Sequence, residues 1–106
     1  MVNPDSLSGF QRDLLLVINI EGPCNGQHIS SEIEAFYGGA EISSGRLYPA
    51  LDELETSCLI EVTRSEAARH GHEYRITDRG FRLLNYVAIK YRPAIGGGKQ
   101  NRRLAQ

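Results

Sequence analysis

Near Cys58 the hydrophobic period of this chain changes, and that change limits the fold more than any other feature. Upstream, Leu47, Leu51, Leu54 and Cys58 recur every three or four residues, the spacing that gathers one apolar stripe on an α-helix. Downstream, Ile60 and Val62 alternate with Glu61 and Thr63, and Tyr74 and Ile76 alternate with Glu73 and Arg75, the pattern of half-buried strands. A chain of 106 residues carrying both periods has room for one modest core, with helices first and a β-hairpin after them.

The stripe belongs to a stretch, 42–58, with two jobs. Its apolar side predicts burial, while its opening turn, Ser43, Ser44, Gly45 and Arg46, is small or polar. Ser43 suits an N-cap, and first-turn amides at the positive end of a helix suit a phosphate. Arg46 and Tyr48 leave the same end off the stripe, offering a forked donor and an aromatic hydroxyl. Pro49 removes one helical hydrogen bond and predicts a kink or a 3₁₀-like first turn. Two readings stay open from the helix alone: a buried helix with a decorated end, or an end that meets a polyanion.

Around this stretch the other elements fall into order. Residues 1–7 lack any period and read as a loose arm. Ser8 and Gln11 fit a capping box for a helix to about Glu21, with Phe10, Leu14, Val17 and Ile18 on one face and Leu15 and Ile20 widening it. So broad an arc predicts burial against more than one neighbour, within the domain or across a subunit interface. The composition of 22–26 is that of a turn. A second helix is predicted from about Gln27 to Tyr37, burying Ile29, Ile33, Phe36 and Tyr37 and leaving Ser30, Ser31, Glu32 and Glu34 wet. The short Gly-rich link 38–42 makes residues 27–58 a helix-turn-helix.

Between the two strands, residues 65–71 form a connection longer than a tight turn, with Arg69 and His70 at its tip and Arg64 and His72 beside it. It reads equally as a projecting basic flap or as an ordinary surface loop. Thr77 caps a last helix from about Asp78 to Tyr91, stopped by Pro93. Leu84, Val87, Ala88 and Tyr91 form its main stripe, with Phe81, Leu83 and Ile89 off it. A helix this apolar predicts packing on a second copy of itself or on a partner's first helix. Residues 93–106 read as a flexible basic tail.

A net charge of −1 conceals an asymmetry. Residues 1–63 carry only Arg12 and Arg46 against ten acids, whereas 64–106 carry ten bases against Glu66, Glu73 and Asp78. One surface should therefore suit a polyanion while an acidic one faces elsewhere. Asp52, Glu53 and Glu55 are expected to face away from such a ligand.

Several classes are excluded. No nucleophile has a base at a known spacing and no glycine-rich phosphate loop occurs, so an enzyme is not expected. His70 and His72 lack further ligands at metal-site spacing, and neither a metal nor a cofactor is expected. Cys24 and Cys58 make no disulfide framework and read as small buried hydrophobes; a redox-responsive regulator using them is a minority alternative. No apolar run is long enough to span a bilayer, and a cytoplasmic location is expected.

The residues also carry a resemblance. Gly45-Arg-Leu-Tyr-Pro-Ala-Leu51, followed by Leu54, Leu59-Ile-Glu61 and Glu73-Tyr-Arg-Ile-Thr-Asp-Arg-Gly80, resembles the PadR-like family of transcriptional regulators. Gly9-Phe-Gln-Arg-Asp-Leu-Leu15 is similar to the start of its short archaeal members. The likeness covers residues 8–91. It implies an α+β, mostly α, winged helix-turn-helix: three helices, a two-stranded hairpin wing and a C-terminal dimerisation helix, with 8–77 as the DNA-binding domain and 78–92 as that helix.

It also implies a homodimeric, sequence-specific regulator, usually a repressor, whose third helix enters the major groove of double-stranded DNA while the wing touches nearby backbone. Carried over, Ser43, Ser44, Arg46 and Tyr48 would lie on the recognition surface, and Arg64, Arg69, His70 and Arg75 on the wing. Arg46 fits either a base edge or a phosphate. Dimerisation would fall to Leu84, Val87, Ala88 and Tyr91, with Phe10 and Leu14 of the first helix. The extra C-terminal domain of longer members is not expected here, which leaves any small-molecule effector unknown. The rival reading is a winged helix that binds a protein through its acidic half.

Overall fold

Three of the four helices start where a side-chain cap dictates. The structure, a computed structural model, describes residues 7–64 and 71–90, except the side chains of Arg64 and Lys90. The order is α1 (Gly9–Glu21), β1 (Cys24–Asn25), α2 (Gly26–Phe36), α3 (Ser44–Thr56), β2 (Ile60–Arg64), β3 (His72–Ile76) and α4 (Asp78–Lys90). The predicted capping box is present: Gln11 N–H donates to Ser8 Oγ and Ser8 N–H to Gln11 Oε1, each at 3.1 Å. Asn25 caps α2 by accepting from His28 N–H at 2.8 Å.

The ends are equally local. After α2, Gly38 takes φ +76°, Gly38 N–H returns to Ala35 C=O and Gly39 N–H to Glu34 C=O, the paired bonds of a Schellman stop. After α3 the same pattern recurs with Cys58 in the left-handed position at φ +63°, its N–H on Glu55 C=O and Leu59 N–H on Leu54 C=O. A non-glycine there costs about 1 kcal/mol. It also corrects the reading of Cys58 as a buried stripe residue. The helix stops at Thr56, the chain reverses its twist, and Cys58 is exposed.

Pro49 lies within α3, which is helical throughout. The expected tightening is confined to the first turn, where Ser43 C=O accepts from both Arg46 N–H at 3.1 Å and Leu47 N–H at 3.0 Å. The first of these is a 3₁₀-type bond laid over an α-type one.

A single core joins all three layers. Leu14, Leu15 and Ile18 of α1, Ile29 and Ile33 of α2, Leu47, Leu51 and Leu54 of α3, and Leu59 and Ile60 are almost completely buried in one cluster. Leu7 is buried with them, so the predicted loose arm is ordered at its last residue, held by Arg12, whose Nη1 donates to Leu7 C=O at 2.9 Å. Phe36, expected inside, is 58% exposed. It lies on the Ile29 line, seven positions on, but at the last residue of α2, where Tyr37 takes the place against the core.

The hairpin pairs as its alternation predicts, with Ile60 opposite Ile76, Val62 opposite Tyr74 and Arg64 opposite His72. A third strand was not foreseen: β1 adds to the other edge of β3, giving the antiparallel order β1-β3-β2. Two residues are too few for a period to show. This strand ties the α1–α2 turn to the base of the hairpin.

Candidate nucleic-acid interface

The first turns of α2 and α3 open on one polar hollow, lined by Gly26, Gln27, Ser30, Ile42, Ser44, Leu47 and Tyr48. Tyr48 crosses it, so close to the α2 backbone that a Cβ on Gly26 would stand 2.6 Å from the Tyr48 hydroxyl. Glycine at 26 thus lets the phenol lie against the start of α2, while Tyr48 remains 40% exposed. Ser43 is the N-cap of α3 by backbone geometry but makes no side-chain capping bond, which leaves its exposed hydroxyl unoccupied by the cap. Two helix N-termini with hydroxyl groups around them favour anionic oxygen atoms.

Of the four predicted residues of the third helix, the structure gathers Ser44 and Tyr48 at this hollow with Ser43 just before them. Arg46 goes to the other flank. Its guanidinium carbon lies 4.1 Å from the centroid of the Phe10 ring, a cation–π contact to α1. Phe10 in turn meets Tyr37, ring centroids 6.3 Å apart, and the Tyr37 hydroxyl donates to Asp13. Arg46 is exposed but braced, its charge held beside α1. Gln27 and Ser30 were missed as site residues. In sequence they are ordinary wet positions, and only the approach of α2 to α3 makes them neighbours of Ser44.

Gly45, Pro49 and Asp52 occupy the exposed side of α3 opposite Leu47, Leu51 and Leu54. Asp52 was expected to turn away from a polyanion, yet it shares this outer side with Gly45 because residues seven apart on a helix are stacked. Glu53 does turn aside, accepting from Gln11 Nε2 on α1.

On the hairpin, Arg75 is described and is already engaged. Its Nη2 lies 2.7 Å and its Nε 2.9 Å from Oε1 of Glu61, its cross-strand partner. Both side chains are more than half exposed, so the pair contributes about 0–1 kcal/mol and a phosphate can displace the carboxylate. Arg69 and His70 lie outside the described residues, as does the side chain of Arg64.

Two groups have raised pKa values. Burial, the hydrogen bond to Asp13 and the Asp13 charge push the Tyr37 phenol up to about 12, against a lowering by Arg46. Burial, then the charges of Glu21, Glu73 and Glu32, push the Cys24 thiol up to about 11. Cys24 is therefore an inert thiol at neutral pH, against its use as a redox sensor. In both groups the folded state holds its proton longer than the unfolded chain, whose values are 9.0 for the thiol and 10.0 for the phenol. Their contribution is complete below the lower of these values and is lost as pH rises through 11 and 12. Urea titrations in reductant should show a falling midpoint between about pH 9 and 12, with Cys24→Ser flattening the lower part and Tyr37→Phe the upper.

Along α4 the inner side is Leu83 and Leu84, both packed on the core; Leu83 was expected off the stripe. Leu84, Val87 and Ala88 join Phe81 and Asn85 in a groove closed on the other side by Arg12, Asp13, Leu16 and Asn19 of α1. Two predicted interface residues of α1 are committed inside the protomer. Leu14 is 0% exposed, and Phe10 carries Arg46 on the side of α3. The arc of α1 is broad because it serves α2, α3 and the sheet, leaving Leu16 and Asn19 toward α4. Tyr91 lies outside the described residues. No helix among the described residues is long and apolar enough to cross a membrane.

Three helices, with a helix-turn-helix at α2–α3, a hairpin behind them and a fourth helix leaving the sheet, define a winged helix-turn-helix protein. The model of the transcriptional regulator PadR-like family matches residues 14–86, and the chain belongs to that family, one of regulators and not of enzymes.

Among solved structures, RosR of H. salinarum, from crystals grown from NaBr, is 31% identical over 97% of this chain and 89% of its own, with a TM-score of 0.77. The transcriptional repressor CouR, bound to a 23-mer DNA duplex, is 25% identical over 83% of this chain and 57% of its own, with a TM-score of 0.69. A transcriptional regulator from Clostridium thermocellum shares the fold at 23% identity, over 85% of this chain and 92% of its own, with a TM-score of 0.66. No curated protein sequence matches significantly.

Proposed function

We propose that this chain is a homodimeric, sequence-specific DNA-binding repressor. The observation that carries the reading is the polar hollow where the N-termini of α2 and α3 converge with Ser44 and Tyr48 side by side. In this reading Ser43, Gln27, Ser30 and the first-turn amides hold phosphates and fix the register of α3. Ser44, Tyr48 and Asp52 meet base edges, the aspartate accepting from a cytosine amino group. Arg46, braced on Phe10, and Arg75, released from Glu61, add backbone contacts, with Arg64, Arg69 and His70 on the wing. Membership of a regulator family and likeness to a DNA-bound repressor support it.

The proposed dimer fits the DNA reading, because two copies would place two recognition helices on half-sites about one helical turn apart. In this reading the α1–α4 groove, with the exposed Phe81 in its wall, and the exposed Ile89 receive α4 of the second copy. An operator overlapping the promoter would then block transcription.

Fluorescence anisotropy with the DNA upstream of the gene, against a scrambled duplex of equal length at two salt concentrations, tests the binding. The upstream duplex should bind more tightly and resist competitor, with affinity falling steeply as salt rises. Replacing Ser44 and Tyr48 by Ala should cost the specific duplex about 10- to 100-fold and the scrambled one little. Equal losses on both duplexes would remove these residues from base recognition, and no binding to either would end the DNA reading.

A further inference from the structure

On the side of α2 away from α3, the end of α1 brings three metal-ligating side chains together. Glu21 closes α1, and His28 and Glu32 lie four residues apart on α2, stacked on one helix face. His28 Nε2 stands 3.0 Å from Glu21 Oε1, and one donor atom from each of Glu21, His28 and Glu32 lies within 4.8 Å of the others. Ligands held about 2.0–2.2 Å from one ion stand roughly 3–4 Å from each other, so only a small inward rotation of the side chains is needed.

The backbone beneath them is fixed from several directions. Asn25 caps α2 through His28 N–H and also pairs with Glu73 in the sheet, so the turn between Glu21 and His28 is anchored at Asn25. The charge of Glu73, paired with Asn25 in the sheet, acts on Cys24 together with those of Glu21 and Glu32, which adds to the attraction of this corner for a cation. One imidazole with two carboxylates is a mixed nitrogen and oxygen set on one side of the ion. Such a set leaves positions for water and suits Mn²⁺, Co²⁺, Ni²⁺ or Zn²⁺, whereas Ca²⁺ and Mg²⁺ favour oxygen alone.

We propose that Glu21, His28 and Glu32 form a binding site for a divalent first-row transition-metal ion that clamps the end of α1 to α2. The clamp fixes the helix whose first turn contributes Gln27 and Ser30 to the polar hollow, and so adjusts the spacing of α2 against α3. The site itself does not depend on the DNA reading.

The test is titration of chelator-treated full-length protein with Co²⁺, followed by its visible absorption, and with Zn²⁺, followed by calorimetry and by the melting temperature. One equivalent should bind saturably and raise the melting temperature. His28→Ala and Glu32→Gln should each weaken binding about tenfold or more and abolish the thermal shift. His72→Ala and Cys58→Ser should bind as the parent does, since neither residue is in the cluster. His28 is exposed and Glu32 half-exposed, so both variants should melt like the parent without metal, which separates lost ligation from lost folding. The proposal is overturned if Zn²⁺ does not saturate by roughly millimolar concentration. It is also overturned if His28→Ala or Glu32→Gln binds like the parent, or if binding is lost only with His72 or Cys58.

Discussion

Gly80→Ala is expected to destabilise the fold by about 3 kcal/mol or more, at or above the upper end of the usual range for overpacking. A Cβ on Gly80 would stand 2.2 Å from Leu59 O, 3.1 Å from Leu59 C and 2.7 Å from Ile76 Cγ1. The first two are backbone atoms and cannot rotate aside. The junction is also fastened by hydrogen bonds: Thr77 N–H donates to Leu59 C=O at 3.1 Å, Thr77 Oγ1 donates to Cys58 C=O at 2.7 Å, and Gly80 N–H donates to Thr77 Oγ1 at 3.0 Å. Relief of the clash requires α4 to lift from the start of β2, which breaks the two bonds from Thr77 to Leu59 and Cys58 and uncovers Leu59 and Ile60.

The control is Gly45→Ala, where the nearest atom to an added Cβ is Ser43 Oγ at 4.0 Å. That change replaces a helical glycine without collision and should be neutral or stabilising by up to about 1 kcal/mol. Urea unfolding of both variants is the measurement. A Gly80→Ala midpoint equal to the parent's would mean that the helix entry is not tightly packed.

For the proposed dimer on a palindromic site, replacing Phe81 and Ala88 together by Asp should yield a monomer and lower affinity for the full site by about 100-fold or more. Phe81 is 53% exposed and Ala88 is exposed, and both line the groove between α4 and α1, so the changes disturb little within the protomer. Burying a phenylalanine contributes about 1.5–3 kcal/mol, and two carboxylates facing their copies in an apolar interface add desolvation and repulsion. Loss of the dimer converts one linked binding event into two independent ones, which removes the gain from effective concentration. Sedimentation at micromolar concentration and anisotropy on full and half sites are the two readouts. A persistent dimer would move the interface off α4. A monomer with unchanged full-site affinity would separate dimerisation from DNA recognition.

Much of the fold was legible because its signals are local. Ser8 with Gln11, the Gly38–Gly39 stop, the stripe of Leu47, Leu51 and Leu54, and the alternation of Ile60, Val62, Tyr74 and Ile76 all act within a few residues. The errors fall at the ends of elements. Cys58 follows the stripe in spacing but lies beyond the end of α3, and Phe36 follows α2 in hydrophobicity but points outward. Two-residue β1 was invisible because its partner β3 lies almost fifty positions away.

For the site, residue type marked Ser43, Ser44, Arg46 and Tyr48 as a polar helix end, but spacing along one helix does not say which neighbour each will meet. Tyr48 lies on Gly26 and Arg46 on Phe10 because α3 is wedged between α2 and α1. Gln27 and Ser30 gained Ser44 as a neighbour through the approach of α2 to α3, and Glu21 met His28 and Glu32 through the approach of α1 to α2.

By itself the sequence determined the four helices, the two hairpin strands and most of their apolar faces, since caps, glycines and hydrophobic period act over one or two turns of chain. Tertiary structure alone decided the partners. It paired Arg75 with Glu61, took Leu14 into the core, and brought two helix ends to one hollow. Such juxtapositions depend on how several apolar faces close on one core, and no short stretch of sequence contains that information.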